Sequence, residues 1–143
     1  MSSIEFSAGM TTQTLTPTTA DGITERFDPI ACLDERVRHQ AVPAEPVDHG
    51  RYIEIEGPER TLLIPLSDAV LHVGRGLAAD LRLDDTSVSR RHAIIVPRPS
   101  GARILDDRSA NGTFVNGRRV QQAQLRGGDV IVLGRVVLRY LEL

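Results

Sequence analysis

From Arg51 onward the chain is a succession of short apolar segments separated by turn residues. Arg51–Glu56 alternates, with Ile53 and Ile55 on one face and acidic residues on the other, which is the period of two that a strand shows. Gly57-Pro58-Glu59-Arg60 then predicts a turn. About ten such segments follow one another with no helical period between them, and this pattern predicts an all-β fold, an antiparallel β-sandwich.

The apolar runs place the individual strands. After Arg51–Glu56 we predict Thr61–Leu66, Val70–Val73, an alternating segment at Leu81 and Leu83, His92–Val96, Ala102–Leu105, Thr113–Val115, Arg118–Val120, Asp129–Leu133 and Val136–Leu141. Asn116-Gly117 separates two of these strands and is a strong signal for a tight hairpin.

The first fifty residues lack the strand pattern. Residues 1–22 are polar and rich in threonine without periodicity, and we expect them to be disordered. Asp28-Pro29 suits a helix start, and the spacing of Ile30, Leu33 and Val37 predicts a short helix over 29–40. Residues 42–50 carry two prolines and a glycine and are interpreted as a linker. The chain is therefore predicted to consist of a tail and linker over 1–50 and a domain over 51–143.

Charge and composition restrict the partners. Residues 1–50 hold three arginines against eight acidic residues, whereas residues 51–143 hold fourteen against eleven. The planar guanidinium of arginine suits bidentate contacts to phosphate. Aromatic residues make up only 3%, which argues against a platform that stacks nucleic-acid bases, so we expect no nucleic-acid partner.

The same sequence bears on where the protein works. Its single cysteine, Cys32, excludes an internal disulfide and fits a reducing compartment. No apolar run approaches the length of a membrane span, and no basic segment precedes an apolar core at the N-terminus. We expect a cytoplasmic protein that makes no membrane contact.

Three polar islands interrupt the strand pattern: Gly74-Arg75, Ser89-Arg90-Arg91-His92 and Asn111-Gly112-Thr113. Arginine supplies charge, serine supplies a hydroxyl, and asparagine supplies an amide that donates and accepts at once. Each island alone also suits an ordinary polar turn. A β framework that holds all three on neighbouring loops predicts a site for an anion bound by directional contacts.

Catalysis and metal binding are alternatives for the same residues. The spacing Ser89-x-x-His92 allows a nucleophile and its base, with Asp106 or Asp107 completing a triad. The chain lacks the Gly-x-Ser-x-Gly elbow of such hydrolases, and His92 opens an apolar strand, where its ring would fix the loop by hydrogen bonds. The paired acids at 84–85 and 106–107 lack a calcium-type ligand loop. We expect no catalytic residue, no metal and no cofactor.

In order and spacing, the islands Gly74-Arg75, Ser89-x-x-His92 and Asn111-Gly112-Thr113-x-x-Asn116-Gly117 resemble the motifs of the forkhead-associated (FHA) domain family over roughly 51–143. The resemblance implies a β-sandwich of about eleven strands. It also implies that the domain binds phosphothreonine in extended peptides, without catalysis and without a cofactor.

The resemblance implies a role for each island. Arg75 would pair with the phosphate, Ser89 would bond a phosphate oxygen, Arg90 would add a contact, and Asn111 would hold the peptide main chain beside the phosphothreonine. The residues that shape the loops would be Gly74, His92, Gly112, Asn116 and Gly117.

Two positions depart from the family pattern. Ala110 stands where some members have a threonine, so one contact to the ligand is missing and we expect a lower affinity, with Ser109 as a possible substitute. Ser87 stands where some members have an arginine that favours an acid three residues after the phosphothreonine, so we expect no strong preference for that acid.

These inferences predict a bacterial phosphothreonine adaptor in Ser/Thr kinase signalling. Its partners would be phosphothreonine-containing proteins and a Ser/Thr protein kinase. The alternative is an FHA-fold structural or interaction module that acts independently of phosphate. The acidic tail would offer phosphorylation sites at Thr11, Thr12, Thr14, Thr16, Thr18, Thr19 and Thr24, and a phosphorylated tail would fold back into the pocket of its own domain.

Overall fold

The computed structural model describes residues 27–43 and 49–143, and in them it confirms the predicted β-sandwich. Pro29–Cys32 forms a 3-10 helix and Glu35–Gln40 forms α1. The twelve strands of these residues are β1 Val42–Pro43, β2 Arg51–Glu56, β3 Thr61–Pro65, β4 Leu71–Gly74, β5 Leu81–Arg82, β6 Ala93–Arg98, β7 Gly101–Asp106, β8 Thr113–Val115, β9 Arg118–Val120, β10 Gln122–Leu125, β11 Val130–Leu133 and β12 Val136–Glu142.

The strands form two sheets. One sheet has seven strands in the order β1-β3-β2-β12-β11-β8-β9, and the other has five in the order β10-β7-β6-β4-β5. Every pair is antiparallel except β4 with β5, which run parallel at Val73↔Leu81 and Gly74↔Arg82. The purely antiparallel prediction is wrong at this pair. The loop after Gly74 brings the chain back so that Leu83 N–H donates to the Gly74 carbonyl at 2.9 Å.

Most predicted strands lie within one or two residues of the observed ones, and β2, β8 and β9 have the predicted bounds. The prediction missed β10, whose sequence Gln-Ala-Gln-Leu has a single fully buried residue, Leu125. It is an edge strand with one buried position, so it carries little apolar periodicity for a pattern to detect.

The core lies between the two sheets. Both sheets contribute fully buried side chains, among them Ile53 and Ile131 from the larger sheet and Ile104 from the smaller one. β8 and β11 belong to one sheet, and β4, β6 and β7 belong to the other. The chain therefore crosses from one sheet to the other at an end of the sandwich, as it does between β7 and β8.

Residues 27–43 pack against the sandwich. Ile30, Leu33 and Val37 are 3%, 3% and 1% exposed and belong to the core cluster. The shared apolar face is therefore observed, but the continuous helix over 29–40 is not. Leu33 is extended between the two short helices, and Asp34 starts α1 by accepting a hydrogen bond from Val37 N–H at 3.0 Å.

The predicted linker also begins inside folded structure. Val42 and Pro43 pair with Leu63 and Leu62 of β3, and Leu33 forms an isolated bridge with Leu83. The folded part therefore extends at least to Phe27 on its N-terminal side, not to residue 51. The threonines that we predicted as phosphorylation sites, and the tail predicted to be disordered, lie outside the described residues.

Over the same residues, neither helix has the length and apolar character needed to cross a membrane.

Candidate anion-binding site

Three loops at one end of the sandwich bring the predicted ligand residues together. They are the loop after β4 with Arg75, the loop before β6 with Ser89 and Arg90, and the loop after β7 with Asn111. Arg75 N–H donates to the Ser89 carbonyl at 2.9 Å. Asn111 Nδ2 donates to the Ser87 carbonyl at 2.9 Å. The loop of Ser87 and Ser89 therefore lies between the other two and holds both of them.

Arg75 is half-buried, and its side chain is anchored at one atom. Its Nε donates to the Val88 carbonyl at 3.0 Å, and its own carbonyl accepts from Arg82 Nε at 2.8 Å. Among residues 27–43 and 49–143, no carboxylate forms an ion pair with Arg75. A guanidinium fixed through Nε and lacking a carboxylate partner keeps its two terminal nitrogens for an anion.

Ser89 presents a hydroxyl whose proton is free to be donated. Its Oγ accepts a hydrogen bond from Ala110 N–H at 2.9 Å. A backbone N–H can only donate, so this bond uses an oxygen lone pair and leaves the hydroxyl hydrogen available. The bond also joins the second polar loop to the third.

His92 is fully buried and connects the same two loops from below. Its Nδ1 accepts from Ser89 N–H at 3.0 Å, and its Nε2 donates to the Gly112 carbonyl at 2.9 Å. Because an amide N–H only donates and a carbonyl only accepts, the ring is neutral with its proton on Nε2.

This arrangement does not fit the alternative catalytic triad. His92 bonds the backbone of Ser89 and not its hydroxyl, and both ring nitrogens are occupied. Asp106 bonds Ser109 and Thr113, while Asp107 pairs with Arg91 at 3.1 Å. Over residues 27–43 and 49–143, no group of three or more His, Cys, Asp or Glu residues lies close enough to hold a metal.

Two glycines are required where the loops approach each other. A Cβ on Gly74 would lie 2.1 Å from the Arg90 carbonyl oxygen, so any side chain would push the Ser89–Arg90 loop away from Arg75. Gly112 has φ +92°, a backbone conformation that favours glycine. It also lies against the Arg119 side chain, since a Cβ added to Gly112 would be 2.7 Å from Arg119 Nε.

Asn116 and Gly117 lie at the opposite end of the sandwich, away from the three loops. They have φ +51° and +83° and form the tight turn of the β8–β9 hairpin. Asn116 Oδ1 accepts from Val130 N–H at 2.9 Å, and its Nδ2 donates to Asp129 at 3.0 Å. The structure thus places them in the framework, whereas Gly74, His92 and Gly112 lie at the site.

The sequence singled out Asp106 only as a candidate for catalysis or metal binding, whereas in the structure this carboxylate shapes the Asn111 loop. Asp106 accepts from Ser109 Oγ at 2.5 Å and from Thr113 Oγ1 at 2.7 Å. Burial opposes ionisation of Asp106, but these hydrogen bonds outweigh it and hold its pKa below the ordinary value. Ser109 Oγ also accepts from Gly112 N–H at 2.9 Å. Its one proton is committed to Asp106, so Ser109 cannot supply the donor that Ala110 lacks.

A second such carboxylate, Asp85, fixes the central loop. It is 7% exposed, and it accepts hydrogen bonds from Ser87 N–H at 3.0 Å and from Arg135 Nη2 at 2.7 Å. The Arg135 guanidinium lies 3.9 Å above the ring centre of Phe27. These residues are too far apart in the chain for any local pattern to join them. The one signal in the sequence was an acid just after the predicted strand segment of Leu81 and Leu83.

Stability should fall at low pH because of Asp85. The hydrogen bond from Arg135 lowers the pKa of Asp85 from 3.8 to about 2 against the opposing effect of burial. A carboxyl whose folded pKa is lowered stabilises the fold above its unfolded pKa, and this contribution is lost as the pH falls from 3.8 towards 2. We expect this contribution to the free energy of unfolding to be on the order of 1–2 kcal/mol, because water partly screens Arg135.

Urea unfolding at pH 7 and pH 3 measures this effect. The loss of unfolding free energy between the two pH values should be smaller in Asp85→Asn than in the wild type. The exposed Asp68 serves as the control, and Asp68→Asn should leave the pH dependence unchanged. An unchanged pH dependence in Asp85→Asn would contradict the assignment.

The two adjacent arginines of the central loop differ in their contacts. Arg91 Nε pairs with Asp107. Arg90 is exposed, and within the described chain it has no carboxylate partner, while its carbonyl accepts from Gly76 N–H at 3.1 Å. Arg90 is therefore the one whose guanidinium is available to a ligand.

The N-terminal segment supports the loops from behind. Arg36 Nη2 donates to the Ala79 carbonyl at 2.7 Å, which anchors the loop that follows Arg75. The Cys32 carbonyl accepts from Asp84 N–H at 2.9 Å, next to Asp85. Residues 27–43 thus hold both loops that meet at Arg75.

Comparison with known proteins places this geometry in a family. The model of the FHA domain matches residues 71–134. The glycogen accumulation regulator GarA of Mycobacterium tuberculosis is 36% identical over 85 residues, covering 59% of this chain and 52% of GarA. The oxoglutarate dehydrogenase inhibitor of Corynebacterium jeikeium is 31% identical over 121 residues, covering 82% and 84% of the two chains.

A solved FHA domain with phosphothreonine-dependent interactions is also similar. It superposes with a TM-score of 0.59 and 38% identity, covering 65% of this chain and 96% of that domain. The match spans only part of several curated relatives, about half of GarA and about a tenth of two others. The matched loops, the sandwich and the extent of these similarities show that the chain belongs to the FHA domain family.

Proposed function

We propose that this protein binds phosphothreonine in extended peptides through Arg75, Ser89, Arg90 and Asn111, and works as a non-catalytic adaptor. The observation that carries the proposal is the arrangement of Arg75 beside Ser89. The guanidinium is anchored through Nε to the Val88 carbonyl, and the neighbouring hydroxyl proton is free. Both groups are donors, and the hydrogen bond from Arg75 N–H to the Ser89 carbonyl holds their loops side by side, so that together they can bond one anion.

A phosphate ester matches this set of donors. It carries about −1.5 to −2 charges at neutral pH and three acceptor oxygens. Charge-assisted hydrogen bonds from arginine are roughly twice as strong as neutral ones. The donors sit on loops that a buried histidine and the close approach of Gly74 to the Arg90 carbonyl hold in place, so little conformational freedom is lost on binding.

Asn111 suits the main chain of the peptide. One proton of its Nδ2 is used on the Ser87 carbonyl, which fixes the direction of the amide. The second proton and the Oδ1 oxygen of this exposed side chain can then pair with a peptide carbonyl and a peptide N–H. A contact to the main chain orients the peptide without selecting its side chains.

Partners follow from this chemistry. They would be proteins that carry phosphothreonine, and a Ser/Thr protein kinase would produce them. Phosphothreonine-dependent interactions of a similar FHA domain support this proposal. Ala110 removes one donor, and Ser109 cannot replace it, so we expect a weaker phosphate contact than a threonine at 110 would give.

Calorimetric titration of the full chain with a phosphothreonine peptide and with its unphosphorylated form tests the proposal. We expect binding of the phosphorylated peptide only. Equal affinity for both peptides would reject the proposal and favour a module that acts independently of phosphate.

We further propose that phosphorylation of the tail regulates the site. A phosphorylated threonine among Thr11, Thr12, Thr14, Thr16, Thr18, Thr19 and Thr24 would compete with external peptides at an effective concentration on the order of millimolar. The acidic residues of 1–50 and the net positive charge of 51–143 favour the contact.

The expected result is at least a tenfold loss of affinity for an external phosphopeptide after kinase treatment of the full chain. A variant with all seven threonines changed to alanine is the control and should keep its affinity. A truncated protein without the tail threonines can serve as a further comparison. It should begin at Phe27, because a chain that begins at residue 51 lacks part of the core. Unchanged affinity of the phosphorylated full chain would exclude the switch.

A further inference from the structure

Arg119 lies beside the proposed site although it comes from a different element. It belongs to β9, the edge strand of the seven-stranded sheet, and pairs with Phe114 of β8. An added Cβ on Gly112 would lie 2.7 Å from Arg119 Nε and 3.0 Å from its Cζ. The guanidinium therefore packs against the backbone of Gly112, the residue that follows Asn111.

The contacts of Arg119 leave its charge unbalanced. It is exposed, and within residues 27–43 and 49–143 no carboxylate forms an ion pair with it. The acids of the adjacent loop are already engaged, Asp106 by Ser109 and Thr113 and Asp107 by Arg91. Because β9 is an edge strand, nothing in its own sheet covers this side of Arg119.

The loop 110–112 sets the distance from the phosphate. Ala110 contacts the Ser89 hydroxyl, and Gly112 contacts Arg119. Two steps along the chain separate these residues, which is at most about 7 Å at about 3.3–3.6 Å per residue. An extended peptide rises about 3.3 Å per residue, so this distance corresponds to about two residues of ligand.

We propose that Arg119 is a specificity-determining residue that reads a second negative charge on the ligand, about two residues from the phosphothreonine on the Asn111 side. This inference rests on the proposed function. The ligand class becomes a phosphothreonine peptide with a neighbouring acidic or phosphorylated residue. Arg75 and Ser89 bind the first anion, Asn111 holds the main chain between the two, and Arg119 pairs with the second.

The test uses the full chain and a panel of phosphothreonine peptides. The parent peptide has alanine at the flanking positions, and each further peptide places one glutamate at one of them. For the wild type we expect glutamate at one position, about two residues from the phosphothreonine, to raise the affinity about five- to tenfold over that for the parent peptide. Arg119→Gln should remove this gain and still bind the parent peptide. Arg119→Lys, which keeps the charge, should restore part of it.

Arg118 provides a matched control. It is an exposed arginine on the same strand, one residue nearer the β8–β9 turn, and it pairs with Val115. Successive side chains of a strand point to opposite faces, so Arg118 lies on the other face of β9 from Arg119. Arg118→Gln should keep the full gain from the glutamate. Equal affinity of the wild type for all peptides would overturn the inference, and so would a gain that survives in Arg119→Gln. If the wild type fails to bind even the parent peptide, the proposed function itself is wrong.

Discussion

Arg75→Ala is expected to lower the affinity for a phosphothreonine peptide at least a hundredfold. The anchored guanidinium supplies two charge-assisted hydrogen bonds, and each hydrogen bond to a charged group contributes about 1.5–3 kcal/mol. The loss of about 3 kcal/mol corresponds to a factor of about a hundred in the dissociation constant. Calorimetric titration of wild type and variant with the same phosphopeptide measures it.

The fold should tolerate this change. Within residues 27–43 and 49–143, Arg75 contributes a single side-chain hydrogen bond, from Nε to the Val88 carbonyl. Removal of one partly exposed bond costs about 1 kcal/mol, which thermal unfolding will show as a small shift. Arg98 is an exposed arginine at the opposite end of the sandwich, and Arg98→Ala should bind like the wild type. Wild-type affinity in Arg75→Ala would show that the site is assigned to the wrong loops.

Local sequence pattern was sufficient for most of the framework. Alternation and turn residues predicted β2, β8 and β9 with their observed bounds, because each lies next to a strong turn signal. The pattern failed for β10, which buries only Leu125, and for the parallel β4–β5 pair, whose direction depends on a loop path. The alternation of apolar and polar residues indicates which face of a strand is buried, but it does not indicate the path of the chain between strands.

The site was predicted as a set of ligand residues without the groups that position them. Arg75, Ser89 and Asn111 stand in conspicuous polar islands, and the resemblance of these islands to the FHA motifs in order and spacing implied their roles. The carboxylates that hold the loops, Asp85 and Asp106, act through partners fixed by tertiary structure. For Asp85 the partner is Arg135, which lies beyond all three islands in the chain. No spacing rule connects such residues before the fold is known.

Leu33→Ala is expected to destabilise the protein strongly, although residue 33 lies outside both the predicted domain and the matched family segment. The Leu33 side chain is 3% exposed within the common core, and its backbone bridges to Leu83. Truncation of a buried leucine to alanine costs about 2–5 kcal/mol, out of a total stability of about 5–15 kcal/mol for a typical domain. Thermal unfolding should show a fall in Tm of about 10 °C or more.

The same variant should bind phosphopeptide less tightly at temperatures where it remains folded, because the segment around Leu33 holds the loops of the site. The Cys32 carbonyl fixes Asp84 N–H, and Arg36 fixes the Ala79 carbonyl. Glu35→Ala is the matched control, since Glu35 is exposed on the same segment. A Tm for Leu33→Ala equal to that of Glu35→Ala would contradict the packing of residues 27–43. Normal affinity in a destabilised Leu33→Ala would mean that this segment stabilises the sandwich without positioning Arg75, and that the loops keep their geometry through His92 and Gly74 alone.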